Sequence, residues 1–244
     1  MERIAKSIAA SGVCSRRDAE NLVFSGKVRV NGVIIDHPSM KVSDNDKIEI
    51  NGKLINKSIV PKIYLYNKPV GVITTAKDTN NRETVFQNIQ RNNRIIKERL
   101  IYIGRLDINS SGLLLLTNTP KIASFLEKAK FERVYKVRIS GKLSNNQLIK
   151  IKQGLIVDGI RYSGIKDIFY IDSKNNSGKN QWLKIILTEG KNREIRKIIN
   201  YFGLFVSRLI RVSYYKFELG TIQVGKIVEA PKLLTHEILN LVNQ

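Results

Sequence analysis

The strongest constraint on this chain is residues 103–118, I-G-R-L-D-I-N-S-S-G-L-L-L-L-T-N. Tyr102–Leu106 and Leu113–Leu116 read as short apolar strands, too brief to span a membrane and bounded by turn residues. Burying both places the turn Asn109-Ser110-Ser111-Gly112 at the end of a rigid element, and with it the carboxylate of Asp107. Such an aspartate is either a structural cap of its turn or a reactive group. Taken alone the stretch favours the cap, because Asp is a common turn former.

Charge decides the partner class. Of 244 residues, 42 are Lys or Arg and 21 are Asp or Glu, a formal net charge of +21, with a sequence pI of about 10.1. That balance is the footprint of a polyanion partner, nucleic acid first. The basic residues are spread along the chain instead of lying on one amphipathic helix, which argues against a membrane-surface role. The lone Cys14 excludes an intrachain disulfide and a multi-cysteine zinc site, and His37 and His236 lie far apart, so a metal site is not expected. With no apolar leader and no window of transmembrane length, a cytoplasmic protein without membrane contact is expected.

In chain order, Ile4, Ile8 and Ala9 make a helical stripe stopped by Gly12. Ser15 caps a second helix with Ala19, Leu22 and Val23 on one face, stopped by Gly26. Val28–Val30, Asn31-Gly32 and Val33–Ile35 predict a hairpin, and Lys47–Ile50 a further strand. Arg16 and Arg17 open the second helix while Lys27 and Arg29 follow it, four cations suited to phosphate contacts with RNA. Residues 3–32 resemble the ribosomal S4-type RNA-binding module in the pattern S-R-R-x-A-E…G-x-V-x-V-N-G. The resemblance implies recognition of structured RNA by shape and backbone. We expect this unit over 1–52, a linker over 53–61 and a second domain over 62–244.

In the second domain, Ile63–Thr75 reads as a strand interrupted by Lys68-Pro69-Val70-Gly71, a turn that brings backbone close to something. A polar loop (Lys77–Arg82), a short helix (Thr84–Ile89) and a basic stretch (Arg91–Arg99) follow. Pro120–Lys128 and Ser144–Gln153 predict helices. Val134–Ser140 alternates, placing Tyr135 with Val137 and Ile139 on one face and Lys136 and Arg138 on the other. Gly164–Ile171 and Trp182–Leu187 predict strands around a polar loop, Ser173–Asn180. In E-G-K-N-R-E-I-R-K, Asn192 is expected to cap a helix buried through Ile195, Ile198, Ile199 and Phe202. Arg193, Arg196 and Lys197 then crowd a helix start, unfavourable unless an anion sits nearby. Leu204–Val212, Tyr215–Leu219 and Lys226–Glu229 complete an α+β body.

The chemical inventory is sparse: a carboxylate, a strand tyrosine and arginines at a helix start, without a Walker-type phosphate loop. A carboxylate paired with Arg stays ionised and can serve as nucleophile or base, and chemistry on an extruded base needs an aromatic such as Tyr135. Residues 62–230 resemble the pseudouridine synthases of the RsuA/RluB group through Y-L-Y-N-K-P-V-G-V-I-T-T (64–75), G-R-L-D-I-N-S-S-G-L-L-L-L-T-N (104–118), Y-K-V (135–137), L-T-E-G-K-N-R-E-I-R-K (187–197) and V-S-R-L-I-R-V (206–212). The resemblance implies a catalytic domain on a mixed, mainly antiparallel sheet with flanking helices.

It also places the family's nucleophilic aspartate on Asp107, its active-site tyrosine on Tyr135, its aspartate-pairing arginine on Arg196 and its active-site hydrophobe on Leu209. Arg105 falls where related enzymes use an arginine in base flipping, and Lys191 and Arg193 are assigned to substrate binding. The implied reaction isomerises a uridine in ribosomal RNA, nearer the branch acting on 23S than the one acting on 16S. It needs no cofactor, and a monomer is expected. The rivals are a non-catalytic RNA-binding ribosome-assembly factor and an RNA methyltransferase, the latter without a Gly-rich cofactor loop. Tyr214-Tyr215 departs from the Tyr-Gly of the family.

Overall fold

The helices Ile4–Ala10 and Arg16–Phe24 pack through Ile4, Ile8, Ala19 and Val23 onto the strands Val28–Val30 and Ile48–Ile50, forming the N-terminal core. Ser15 caps the second helix, its Oγ accepting from the Asp18 amide at 3.1 Å. The hairpin Val28–Val30/Val33–Ile35 turns over Asn31 (φ 50°) and Gly32 (φ 84°), the left-handed pair that a two-residue turn requires. Lys53–Leu54 pairs with Ile48–Ile50, so this four-stranded sheet runs two residues into the stretch that composition marks as linker. The computed structural model describes residues 1–56, 59–93, 96, 98–171 and 180–244.

The second unit is built on a nine-stranded sheet. Its main path runs Ile165–Tyr170, Asn180–Leu187, Arg133–Ser140, Val206–Tyr214, Ser111–Thr117, Ile63–Lys68 and Ile227–Glu229. Ile101–Ile103 and Phe217–Glu218 pair off this path. Every pairing is antiparallel except that of Val206–Tyr214 with Ser111–Thr117. This is the expected mixed, mainly antiparallel sheet.

Leucines 113–116 are fully buried because the sheet is covered on both faces at that point. Leu114 and Leu116 join Tyr66, Val137, Ile185 and the helix Glu194–Tyr201 on one side. Leu113 and Leu115 meet the helices Pro120–Lys128 and Lys232–Asn243 on the other. The Thr84/Gln87 and Ser144/Gln147 capping boxes start the helices Val85–Asn92 and Asn145–Gln153.

Several features lie outside the sequence reading, the short antiparallel pair Glu2–Arg3/Lys41–Val42 among them. The strand before Asp107 ends at Ile103 and not at Leu106, because Gly104 takes φ 64°. The hairpin Leu155–Val157/Ile160–Tyr162 and the helix Lys232–Asn243 are additional. The expected loop at 173–180 lies outside the described residues apart from Asn180, as do positions 94, 95 and 97 of the basic stretch. Among the described residues no helix is long and apolar enough to cross a membrane.

Candidate active site

Asp107 sits on a loop fastened from several directions, and each fastener is a sequence feature with a reason. The interruption at Lys68-Pro69-Val70-Gly71 wraps this loop: the Gly71 amide donates to the Ile108 carbonyl at 2.8 Å. Thr74 Oγ1 donates to the Leu106 carbonyl at 2.8 Å. The Lys68 ammonium, fully buried, donates to the carbonyls of Pro69 (3.0 Å), Asp107 (3.2 Å) and Ser110 (2.9 Å). Burial pulls the Lys68 ammonium down to about 8, and Asp107 partly offsets this. Gly112, at φ 98°, lets the loop enter the sheet, since a Cβ there would lie 2.3 Å from the Arg211 carbonyl oxygen.

The bland reading of Asp107 as a turn cap does not survive this geometry. The bond that closes its turn runs from the Ser110 amide to the Asp107 carbonyl, 2.9 Å. The carboxylate is left out of the turn, about one third exposed, with Arg193 Nη1 at 3.9 Å from Oδ2. It faces a cavity of about 620 Å³ lined also by Arg105, Tyr135, Lys191, Arg193 and Leu209. Tyr135 is 7 % exposed and Leu209 8 %. No hydrogen bond to the Tyr135 hydroxyl is found among the described residues. The cavity therefore brings together a carboxylate, an aromatic ring, an aliphatic side chain and several cations, which is what holding an extruded anionic nucleotide demands.

Two expectations need correction. Asn192 does not cap the helix: the helix is Glu194–Tyr201, and its N-cap is Arg193 in the left-handed region (φ 53°). Glu194 Oε2 instead accepts from the Lys191 amide at 3.0 Å, so a first-turn acid secures the preceding loop and answers the helix dipole. Arg196 does not form the ion pair with Asp107, which belongs to Arg193. The two Nη groups of Arg196 donate to backbone, to the Val206 carbonyl at 3.0 Å and the Asn109 carbonyl at 2.8 Å, while its buried Nε has no partner among the described residues. Arg196 braces the loop two residues beyond the carboxylate. Burial and neighbouring Arg193 lower its pKa, while Asp107 favours its charge from a longer range.

The remaining site residues sit as follows. Arg105 is exposed at the cavity rim, and the Lys191 ammonium turns to Glu189 (2.9 Å) and the Arg161 carbonyl (2.7 Å). Arg16, Arg17, Lys27 and Arg29 are all exposed on the N-terminal unit, Arg16 beside Glu20 at 3.5 Å.

Sequence reasoning missed Lys68, Glu194, Arg133, Arg211 and Tyr214. Arg133 and Arg211 flank the Tyr214 ring at 4.6 and 5.5 Å, walling the cavity with a cation–aromatic stack. Burial raises the pKa of Glu194, which is 3 % exposed. The usable signal was a charged residue at a position of buried periodicity: Lys68 ends the strand Ile63–Lys68, and Arg211 shares a face with Leu209.

Residues 62–201 match the family model described as RNA pseudouridylate synthase, and residues 2–48 the S4 domain. An uncharacterized RNA pseudouridine synthase of Rickettsia typhi is 43% identical over 98% of this chain and 96% of its own. Ribosomal large subunit pseudouridine synthase B of Bacillus subtilis is 34% identical over 99% of this chain and 96% of its own. The Buchnera aphidicola protein of that name is 39% identical over 87% and 86%. A pseudouridylate synthase of known crystal structure, 19% identical, shares the fold with a TM-score of 0.66, covering 98% of this chain and all of that one. With an S4 domain preceding a synthase domain and relatives matching nearly the whole chain, this chain belongs to the RNA pseudouridylate synthase family, and it is an RNA pseudouridine synthase.

Proposed function

We propose that this protein isomerises one uridine of large-subunit ribosomal RNA, 23S, to pseudouridine, with Asp107 as the reacting carboxylate. The observation that carries the role of Asp107 is that its side chain is absent from its own turn while the backbone around it is tied down. The target class is supported by the large-subunit synthases that this chain resembles end to end.

In this reading the uridine is extruded into the cavity and its base stacks against Tyr135, with Leu209 excluding water beside it. Asp107 attacks C1′, its ester bond breaking again when C5 takes its place, or it takes the 2′ proton and returns it once C5 has bonded. The C1′–N1 bond breaks, the uracil turns, C5 bonds to C1′, the C5 proton leaves and N1 gains one. Atoms and electrons balance within one nucleotide, so no cofactor enters. Tyr135 relays the C5 proton. Arg193 supplies the charge nearest the carboxylate, Arg196 and Lys68 hold its loop, and Arg105 and Lys191 face the flanking RNA. Arg16, Arg17, Lys27 and Arg29 of the unit at 1–52 hold the phosphates of a structured stem. The protein works as a monomer in the cytoplasm, on ribosomal RNA or a pre-ribosomal particle.

Chemical mapping of pseudouridine in both ribosomal RNAs from a strain lacking the gene tests this. Loss of one modification in 23S is the expected result. Loss in 16S would move the target to the small subunit, and no loss in either would remove ribosomal RNA as the substrate.

A further inference from the structure

The strands that aim Tyr135 and Leu209 at the cavity have a second face. Lys136 pairs across with Lys184 and Ile210, and Arg138 with Trp182 and Arg208. One strand further out, Phe169 stands opposite Lys184, with the ammonium 5.6 Å from its ring centre. Because side chains alternate, these residues share the face opposite Tyr135. The helices Pro120–Lys128 and Lys232–Asn243 pack on Leu113 and Leu115, and the other helices of this unit join the cavity-side core or flank it. Among the described residues no helix packs on this half of the sheet.

We propose that this open face is a second RNA-binding surface, taking an unpaired RNA segment that flanks the modified site. Charge complementarity selects the occupant. Lys136, Arg138, Lys184 and Arg208 form no ion pair among the described residues, while Glu132 at its edge is spent on Lys166. Phe169 is 41 % exposed and Trp182 partly so. Aromatic rings interleaved with cations across four strands, about 14 Å, match a stacking platform for bases with phosphate contacts at its margins. A folded protein partner would call for an interface core depleted of charge, and of lysine above all, whereas four cations, two of them lysines, occupy this face. The inference rests on the ribosomal RNA reading only for the identity of the polyanion. A segment reaching this face runs past the sheet edge, so the surface adds affinity for long RNA without touching the reacting nucleotide.

Trp182 is the protein's single tryptophan, so its fluorescence reports on this face in the intact chain. The probes are a minimal substrate hairpin and the same hairpin with single-stranded flanks. We expect the flanked RNA to quench Trp182 and the hairpin alone to leave it nearly unchanged. Lys136→Glu with Arg138→Glu should weaken binding of the flanked RNA about tenfold or more at low salt. The slope of log affinity against log salt should flatten by about 1.4, two cations at about 0.7 each. Turnover on the hairpin should stay unchanged. The neutral pair Lys136→Gln and Arg138→Gln, with unaltered melting, should show the same flattening and guards against a folding artefact. Unquenched emission with an unchanged salt slope would overturn the proposal, as would quenching by ribosomal proteins but not by RNA. A hairpin left unmodified by wild-type protein while the flanked RNA still quenches would instead count against the proposed target.

Discussion

Replacing Lys68 by Met separates what the buried ammonium costs from what it organises. The substitution keeps an unbranched chain of similar length and removes the donor from three carbonyls. That of Asp107 still receives the Ser110 amide, so two carbonyls lose their donor, at about 1–3 kcal/mol each. Against this stands the cost of burying the ammonium. Its pKa falls from 10.5 to about 8, worth on the order of 3 kcal/mol at neutral pH. The two nearly cancel, and we expect Lys68→Met to change stability by no more than about 3 kcal/mol near pH 7.

Activity has no such compensation, because an untied loop displaces the Asp107 carboxylate. A misplacement of about 1 Å costs roughly a hundredfold in rate. Single-turnover release of tritium from C5 of a labelled uridine gives the rate, and thermal melting gives the stability. The sign of the pH effect follows from the lowered pKa: between pH 8 and 10.5 the unfolded chain binds more protons at Lys68 than the folded one. Wild-type stability relative to Lys68→Met should therefore rise through that window, by at most about 1.4 kcal/mol per pH unit. A variant within threefold of the wild-type rate, with the same pH dependence of melting, would refute the fastening role.

Four other substitutions test separate parts of the structure. Arg193→Ala should lower kcat/KM no more than about fivefold, since the pair with Asp107 is long and half-exposed, whereas Arg196→Ala, which frees the Asn109 carbonyl, should cost about a hundredfold; steady-state kinetics would show the order. Gly112→Ala should destabilise the fold by at least about 3 kcal/mol in urea denaturation, because a Cβ at φ 98° meets the Arg211 backbone. Tyr215→Gly should relieve about 1 kcal/mol of left-handed strain yet lose the ring stacked on Phe131 at 4.2 Å and the hydroxyl contact with Glu237, for a net loss of about 1 kcal/mol on melting.

Where local chemistry decides the structure, the sequence was legible. Asn31-Gly32 demands its hairpin, Ser15 its helix cap, and the alternation over Val134–Ser140 its strand, so Tyr135 was placed correctly without coordinates. The departure at Tyr215 is legible in the same way: the position takes φ 54°, which glycine would adopt freely, and the tyrosine offsets the strain by stacking. Interactions between distant segments were hidden. Nothing local says that Lys68 reaches across to Asp107 and Ser110, or that the left-handed Arg193 and not Arg196 stands beside the carboxylate. Lys53–Leu54 reads as linker because two exposed residues carry no alternation, yet the edge of the N-terminal sheet recruits them. The last helix could have been found: Leu234, Ile238, Leu241 and Val242 follow Pro231 at helical spacing.

In the proposed mechanism Asp107 does the chemistry and the rest of the site holds RNA around it. Asp107→Asn is nearly isosteric and removes the charge from a side chain that closes no turn. With purified protein and a substrate RNA, we expect no detectable pseudouridine in a single turnover, while RNA affinity stays within about threefold of wild type, as a loss confined to the chemical step requires. Pseudouridine formed at the wild-type rate by the Asp107→Asn protein would contradict it.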